Sequence, residues 1–340
     1  MADEKKKRHN LYDFFAGGKN NRSDVDLRSQ IKGFSTKNMF RLYFRRFRQI
    51  TTINIMILLS NFPLIFLILA ISGLVSNQTT APVNPIYSVV YGITSISGAT
   101  PATAALSGLF LETDVMFYPS TWTYIFYGLS FLEVFTIGLS NVGIIYVMRN
   151  LVRGEPLFLP SDFFDSIKSN FKLGLITGVF DSALLVLSGY SVYSYWVNYG
   201  SYYVLFYASV LMFILYFMLR TFMYLMLVTF DLKYRHIVKN ALIFTLLGFG
   251  KNFLALLGGA LICLLFYSLS VTVFIPIGVI AFILFIPATV LYLITYVGYW
   301  KVNDIMIEPY YQKHPEERPK IDSGDVYTGE TDDVGDDPLE

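Results

Sequence analysis

Hydrophobic residues run almost unbroken through six stretches of the chain, at about 51–75, 122–148, 173–195, 202–228, 241–268 and 273–300. A hydrocarbon core ~30 Å thick is crossed by about twenty apolar residues in a helix, and backbone polar groups at that depth must be satisfied internally. Each run meets that length. The pattern therefore predicts an all-α integral membrane protein, a bundle of about six transmembrane helices. A further apolar stretch, Ile86 to Leu111, has no positive charge on either flank: the neutral SNQTTAPVN precedes it, and Glu112 and Asp114 follow. Gly98 and Pro101 interrupt it. Both of its ends are expected on one side, which makes it re-entrant or interfacial rather than a seventh crossing.

Two stretches have the mixed character of surface helices. Between Lys37 and Ile50, Phe40, Leu42, Tyr43, Phe44 and Phe47 alternate with Arg41, Arg45, Arg46 and Arg48. That is the composition of a juxtamembrane helix lying among anionic head groups. After Pro160, Ser161 and Asp162 form a helix start, and Phe163, Phe164, Ile167 and Phe171 recur at helical spacing while Lys168 and Lys172 face water. Three regions follow: a basic tail at 1–50 with its juxtamembrane helix, the bundle at 51–300, and an acidic, largely disordered tail at 301–340.

Charge fixes the expected orientation. The chain is 54% hydrophobic and only 15% charged, against about 25% charged in soluble domains. No Lys or Arg lies between Thr51 and Met148, between Leu173 and Leu219, or between Asn252 and Trp300. Those gaps are the outward hairpins, and the basic clusters between them fall on one side. The rule that basic loops stay inside then places both termini in the cytoplasm.

Four charged residues fall within spans: Glu133, Asp181, Arg220 and Lys251. A charge at that depth costs about 2.5–3.5 kcal/mol on insertion scales, so such residues face the bundle interior and pair. Helical spacing puts Ser130, Glu133, Thr136, Ser140 and Asn141 on one stripe, and Gly174, Thr177, Gly178, Asp181 and Ser188 on another. Gly174 and Gly178 form a GxxxG pair, and Gly248, Ala255, Gly258 and Gly259 bracket Lys251, so close helix contact is expected there. The group of Glu133, Asn141, Asp181, Arg220 and Lys251 reads as a midplane solute or proton site or as structural ion pairs, with Arg220 snorkelling to the cytoplasmic surface as a third reading. A faint echo at an offset of 70 residues pairs Ile167 with Ile237, Asn170 with Asn240 and Asp181 with Lys251, as parallel repeats would.

The stretch YVMRNLVRGEPLFLPSDFFDSIKSNFKLGLITG (Tyr146 to Gly178) resembles the signature of the YesL-like family of bacterial membrane proteins. A basic turn of the form R-x-x-x-R-G-E, a D-F-F helix and an N-F-K lead into the next span occur here as Arg149, Arg153, Gly154, Glu155, Asp162, Phe163, Phe164, Asn170, Phe171 and Lys172. The GATPATAAL stretch (Gly98 to Leu106) is similar to the family's G-P-A-T-A-A-L element, but about forty residues separate it from the basic turn where the simpler members have none. The resemblance implies a bacterial plasma-membrane protein whose relatives are associated with carbohydrate uptake and degradation, possessing no assigned molecular activity. An accessory or regulatory partner of a sugar-transporter subunit is the function it implies. A small-solute transporter using the midplane charges is the alternative.

Catalytic signatures are missing: there is no GxSxG, no GxxxxGK[ST] and no GxGxxG in a strand-to-helix context. His9, His236 and His314 have no metal-ligand spacing, and Cys263 is single, so neither enzyme chemistry, cofactor nor metal is expected. The arginines beside a span point to lipid head groups instead of nucleic acid.

Overall fold

A computed structural model describes residues 33–317; the first 32 residues and the acidic tail after Glu317 lie outside the described residues. Helices α1 (Thr36–Arg45), α2 (Phe47–Ser60) and α3 (Pro63–Ile71) lead to strand β1 (Asn77–Pro82). Then come α4 (Tyr87–Ser97), α5 (Pro101–Phe110), β2 (Thr113–Tyr118), α6 (Thr121–Ser130) and α7 (Glu133–Val152). The chain continues with α8 (Leu159–Ser169), α9 (Phe171–Val197), α10 (Tyr199–Thr229), α11 (Tyr234–Leu247), α12 (Phe249–Thr272), α13 (Ile275–Leu284), α14 (Ile286–Val302) and, after a π-helical turn, α15 (Glu308–Lys313).

Among the described residues, four helical stretches are long and apolar enough to cross a membrane: Thr121–Val152, Phe171–Val197, Tyr199–Thr229 and Phe249–Thr272. Two bent pairs, α2 with α3 and α13 with the helix from Ile286, raise the number to six. The chain is an all-α membrane protein. The bends, 65° and 50°, depart from the straight spans expected at 51–75 and 273–300. Their cause is proline, which lacks an N–H and clashes with the carbonyl four residues back: Pro63 opens α3 and Pro287 lies in the first turn of α14. The apolar run at 241–268 is likewise two helices, α11 and α12, parted at Gly248. Lys251 therefore sits in the first turn of α12 and not in mid-span.

Ile86 to Leu111 forms two helices joined at Gly98, whose φ of +68° suits glycine. At 1.5 Å per residue each is ~15–17 Å long, about half a bilayer core. Thr100 and Thr103 close a reciprocal capping box that starts α5. The flanking strands pair antiparallel, from Asn77 opposite Tyr118 to Pro82 opposite Thr113, so the segment departs and returns at one place.

The described residues form two compact units. In one (Met56–Asn141 and Phe171–Val186), α3 packs along α6 with the rings of Phe66 and Phe126 5.7 Å apart. Here α7 meets α9 at glycine: a Cβ on Gly138 would come within 2.2 Å of the Gly174 carbonyl and 2.4 Å of the Gly178 Cα. The buried residues of α9 are Gly174, Thr177, Gly178 and Asp181, four of the stripe read from helical spacing.

The other unit comprises the described part of Met1–Ile55, together with Val142–Asn170 and Leu187–Glu340 as far as Glu317. Its core joins Met148 and Leu151 of α7, Phe222 to Val228 of α10, and Tyr292 and Tyr296 of α14, all buried. The earlier half of α10 instead exposes Tyr203, Tyr207 and Met212, as a helix facing lipid does, since acyl chains are as apolar as leucine. Helix α1 runs antiparallel beside α14. The Tyr296 and Tyr292 hydroxyls donate to the Ser35 and Met39 carbonyls (3.0 and 2.8 Å), and Tyr43 bonds Thr289 at 2.8 Å. Asn54 of α2, fully buried, reaches the break before α14. Its Nδ2 donates to the carbonyls of Phe282 and Ile283 (2.9 and 2.7 Å), and its Oδ1 accepts from the Ala288 N–H at 2.8 Å. Ile283 is the residue whose carbonyl Pro287, four positions on, cannot serve.

Two substitutions test this account by thermal unfolding in detergent. Gly138→Ala should lose about 1–3 kcal/mol by overpacking, whereas Gly128→Ala, where a Cβ meets nothing within 4 Å, should be neutral. Asn54→Leu strands three main-chain groups and should cost on the order of 3 kcal/mol, and Asn54→Asp, whose buried carboxylate would face two carbonyl oxygens with no donor, should lose at least as much.

Candidate functional site

The turn after α7 is held by two arginines. Helix α7 stops at Val152, and Gly154, with φ +73°, reverses the chain in a conformation that favours glycine. Arg149 is buried; its Nη1 donates to the Val228 carbonyl, one of the last four that α10 leaves without an intrahelical donor. Its Nε and Nη2 donate to Asn150 Oδ1 at 3.1 and 2.8 Å, and its guanidinium lies 4.7 Å from the centroid of Tyr146. Arg46, between α1 and α2, is 4% exposed. It donates from Nη1 to the Glu155 carbonyl at 2.8 Å and from Nη2 to the Gly154 carbonyl at 3.2 Å. Arg153 pairs with Glu155 at 2.8 Å in a partly exposed bridge, of the kind worth less than about 1 kcal/mol.

The helix after the turn is anchored from within. Phe163 is buried against α7, where a Cβ on Gly143 would fall within 2.4 Å of its ring. Asp162 Oδ2 accepts from the Phe158 N–H at 2.8 Å, and burial is the main cause holding its carboxyl above the usual aspartate range. Asn170 occupies the break between α8 and α9 and donates to the Ser166 carbonyl at 3.1 Å. Asn240, its counterpart in the 70-residue echo, lies inside α11 with no break.

The five intramembrane candidates are divided between the units. Glu133, at the start of α7, and Asp181, in α9, are both buried in the unit that holds Gly138. Thr136 Oγ1 donates to the Glu133 carboxylate at 3.4 Å, and Asn141 donates to the Ile137 carbonyl of its own helix at 2.7 Å. Arg220 and Lys251 belong to the other unit. Glu133, Asp181 and Arg220 each have interaction partners. Lys251 is exposed, with its Nζ 4.4 Å from the centroid of Phe34.

That ammonium stands beside a groove of about 640 Å³ between α1, α12 and α14, walled by Tyr43, Phe44, Leu254, Phe266, Phe285 and Tyr292. Among the described residues no carboxylate lines it. At the far end of the described chain, His314, Glu316 and Glu317 bring their ligand atoms within 4.8 Å of one another, all exposed; His314 Nδ1 and Glu316 lie 3.5 Å apart as a surface pair.

Sequence reasoning missed Arg46 and Asn54. The first was hidden among four arginines of one composition; the second had a signal, a lone amide in an apolar run of a chain whose last span carries Pro287.

Residues 119–192 match the family model described as a protein of unknown function, DUF624, which is the family of YesL-like proteins. The match runs from α6 through the clamped turn into α9, and includes Glu133, Asn141, Arg149 to Glu155, Asp162, Phe163, Asn170 and Asp181. Neither a curated protein nor a solved structure matches the chain.

Removing the Arg46 fork should strand two carbonyls. Arg46→Met is expected to lose about 2–3 kcal/mol in detergent unfolding, Arg46→Lys to recover only part because an ammonium cannot reach both oxygens as a planar fork does, and exposed Arg41→Gln to change nothing. Because the folded carboxyl of Asp162 is raised, the native state holds its proton more tightly. Stability from this group should fall as pH rises through the aspartate range up to the raised value. Asp162→Asn, which keeps an acceptor for Phe158, should flatten that slope.

Proposed function

We propose that the protein is a YesL-like member of the bacterial plasma membrane, with both termini cytoplasmic, and that it serves as a non-catalytic accessory, scaffold or regulatory partner of a carbohydrate uptake system. The observation that carries this reading is the use made of polar side chains. Arg46, Arg149 and Asn54 are turned onto main-chain carbonyls at helix ends and breaks, and the family-signature turn is part of that fixed arrangement. A part built to hold a shape suits a scaffold. The basic side also offers a contact surface, because Phe158 and Phe164 at α8 are each more than half exposed on the same helix as Lys168. The carbohydrate connection rests on the family resemblance and is an association.

Transport of a small solute is a second reading, favoured by the burial of Asp181, 2% exposed within a span, since intramembrane carboxylates commonly mark ion or solute paths.

Gentle detergent extraction of the full chain from its own cells, followed by identification of bound proteins, separates the two. The scaffold reading expects a permease or transporter ATPase subunit at equal stoichiometry, with recovery insensitive to Asp181→Asn and reduced several-fold by Phe164→Ser. A chain that purifies alone and moves a sugar or ion in liposomes, with flux abolished by Asp181→Asn, overturns it.

A further inference from the structure

The groove between α1, α12 and α14 has walls that are chemically apolar although several carry hydroxyls. Tyr43 and Thr289 bond each other, Thr289 also donates to the Phe285 carbonyl at 2.7 Å, and the Tyr292 hydroxyl donates to the Met39 carbonyl. Those polar atoms are already satisfied, so a polar solute would find few partners along the walls. Hydrocarbon would. The groove's rims are nevertheless cationic. Lys251 stands at one side. On the other, α1 sets Thr36, Phe40 and Phe44 in one stripe lining the groove, and Lys37, Arg41 and Arg45 follow one position on, about 100° around the helix. Lys37, Arg41 and Arg45 are exposed. Neither α1 nor α12 contains an acid. The volume, about 640 Å³, falls within the ~300–1,000 Å³ of small-molecule sites.

An occupant must combine a long apolar part with an anionic head, and the groove is bounded by α12, whose Leu254 and Leu261 are exposed as lipid-facing residues are. We infer that this groove is a binding site for one anionic phospholipid, its acyl chain lying along Tyr43, Phe266 and Phe285 and its phosphate drawn to Lys251 and the basic stripe of α1. Basic pockets between membrane helices on the positive side recognise lipid head groups by this pairing of charge. The site is distinct from the clamped turn and independent of the proposed scaffold role.

Gly258 provides a clean probe, because it lines the groove and a Cβ built on it meets nothing within 4 Å. The full chain, delipidated in mild detergent, is titrated with phosphatidylglycerol or with phosphatidylcholine of the same acyl chains, and bound lipid is read by native mass spectrometry. One phosphatidylglycerol per chain is expected, preferred over phosphatidylcholine by about five-fold, the order of one interfacial cation. Lys251→Gln should abolish the preference and Lys251→Arg retain it. Gly258→Leu should remove both adducts, with Gly128→Leu, on open helix surface, as the control. Equal binding of the two lipids by the unaltered chain, adducts that survive Gly258→Leu, or a Gly258-dependent adduct with the mass of a second chain would each overturn the assignment.

Discussion

Wherever one of the apolar helices breaks, its main-chain carbonyls need a donor that neither lipid nor a packed core supplies. An unsatisfied group in hydrocarbon costs several kcal/mol. The chain meets this need with a small set of polar side chains placed at the breaks. Asn54 serves the one before α14. Ser140 donates to the Ser60 carbonyl at 3.1 Å, where α2 gives way to α3. Asn252 and Asn198 only add a second, local donor, at 3.0 and 2.9 Å, to the Gly248 and Ser194 carbonyls that their own backbone N–H groups already serve. Arg149 serves the end of α10. The bend before α14 and the one after α2 thus each draw a donor from a side chain of another helix.

Some of these donors act locally, within one turn; others join elements far apart in sequence, and those make the packing specific. Asn54 ties α2 to residues more than two hundred positions away, and Arg46 ties the junction of α1 and α2 to the turn after α7. Glycine works alongside them. Close approach of α7 and α9 depends on Gly138 lying against Gly174 and Gly178, where dispersion between backbones replaces the hydrophobic drive that lipid removes.

The parts legible in the sequence were those written in periodicity. Six apolar runs correspond to six candidate spans or bent pairs, and the stripe through Gly174, Thr177, Gly178 and Asp181 is the buried face of α9. Breaks were partly legible: Gly98 and Pro101 were read as an interruption, while Pro63 and Pro287 carried the same message inside longer runs. The two-stranded ribbon was not legible, since NQTTAP is polar and ends in proline, and its partner lies some thirty residues on. Nor was the division of the basic helix. Arg45 and Arg46 are adjacent and alike in composition, yet Arg45 is exposed in the last turn of α1 while Arg46, past its end with φ −107° and ψ 19°, is turned inward and buried.

That inward turn at Arg46 links the clamp to the groove. Arg46 caps α1, and the same helix contributes Tyr43 and Phe44 to the groove wall. Its carbonyls receive the Tyr292 and Tyr296 hydroxyls, so α1 is fastened to α14 along its length and to the Arg153–Glu155 turn at its end. One wall of the groove is thus positioned by residues of the family-signature turn, although no residue of that turn lines it.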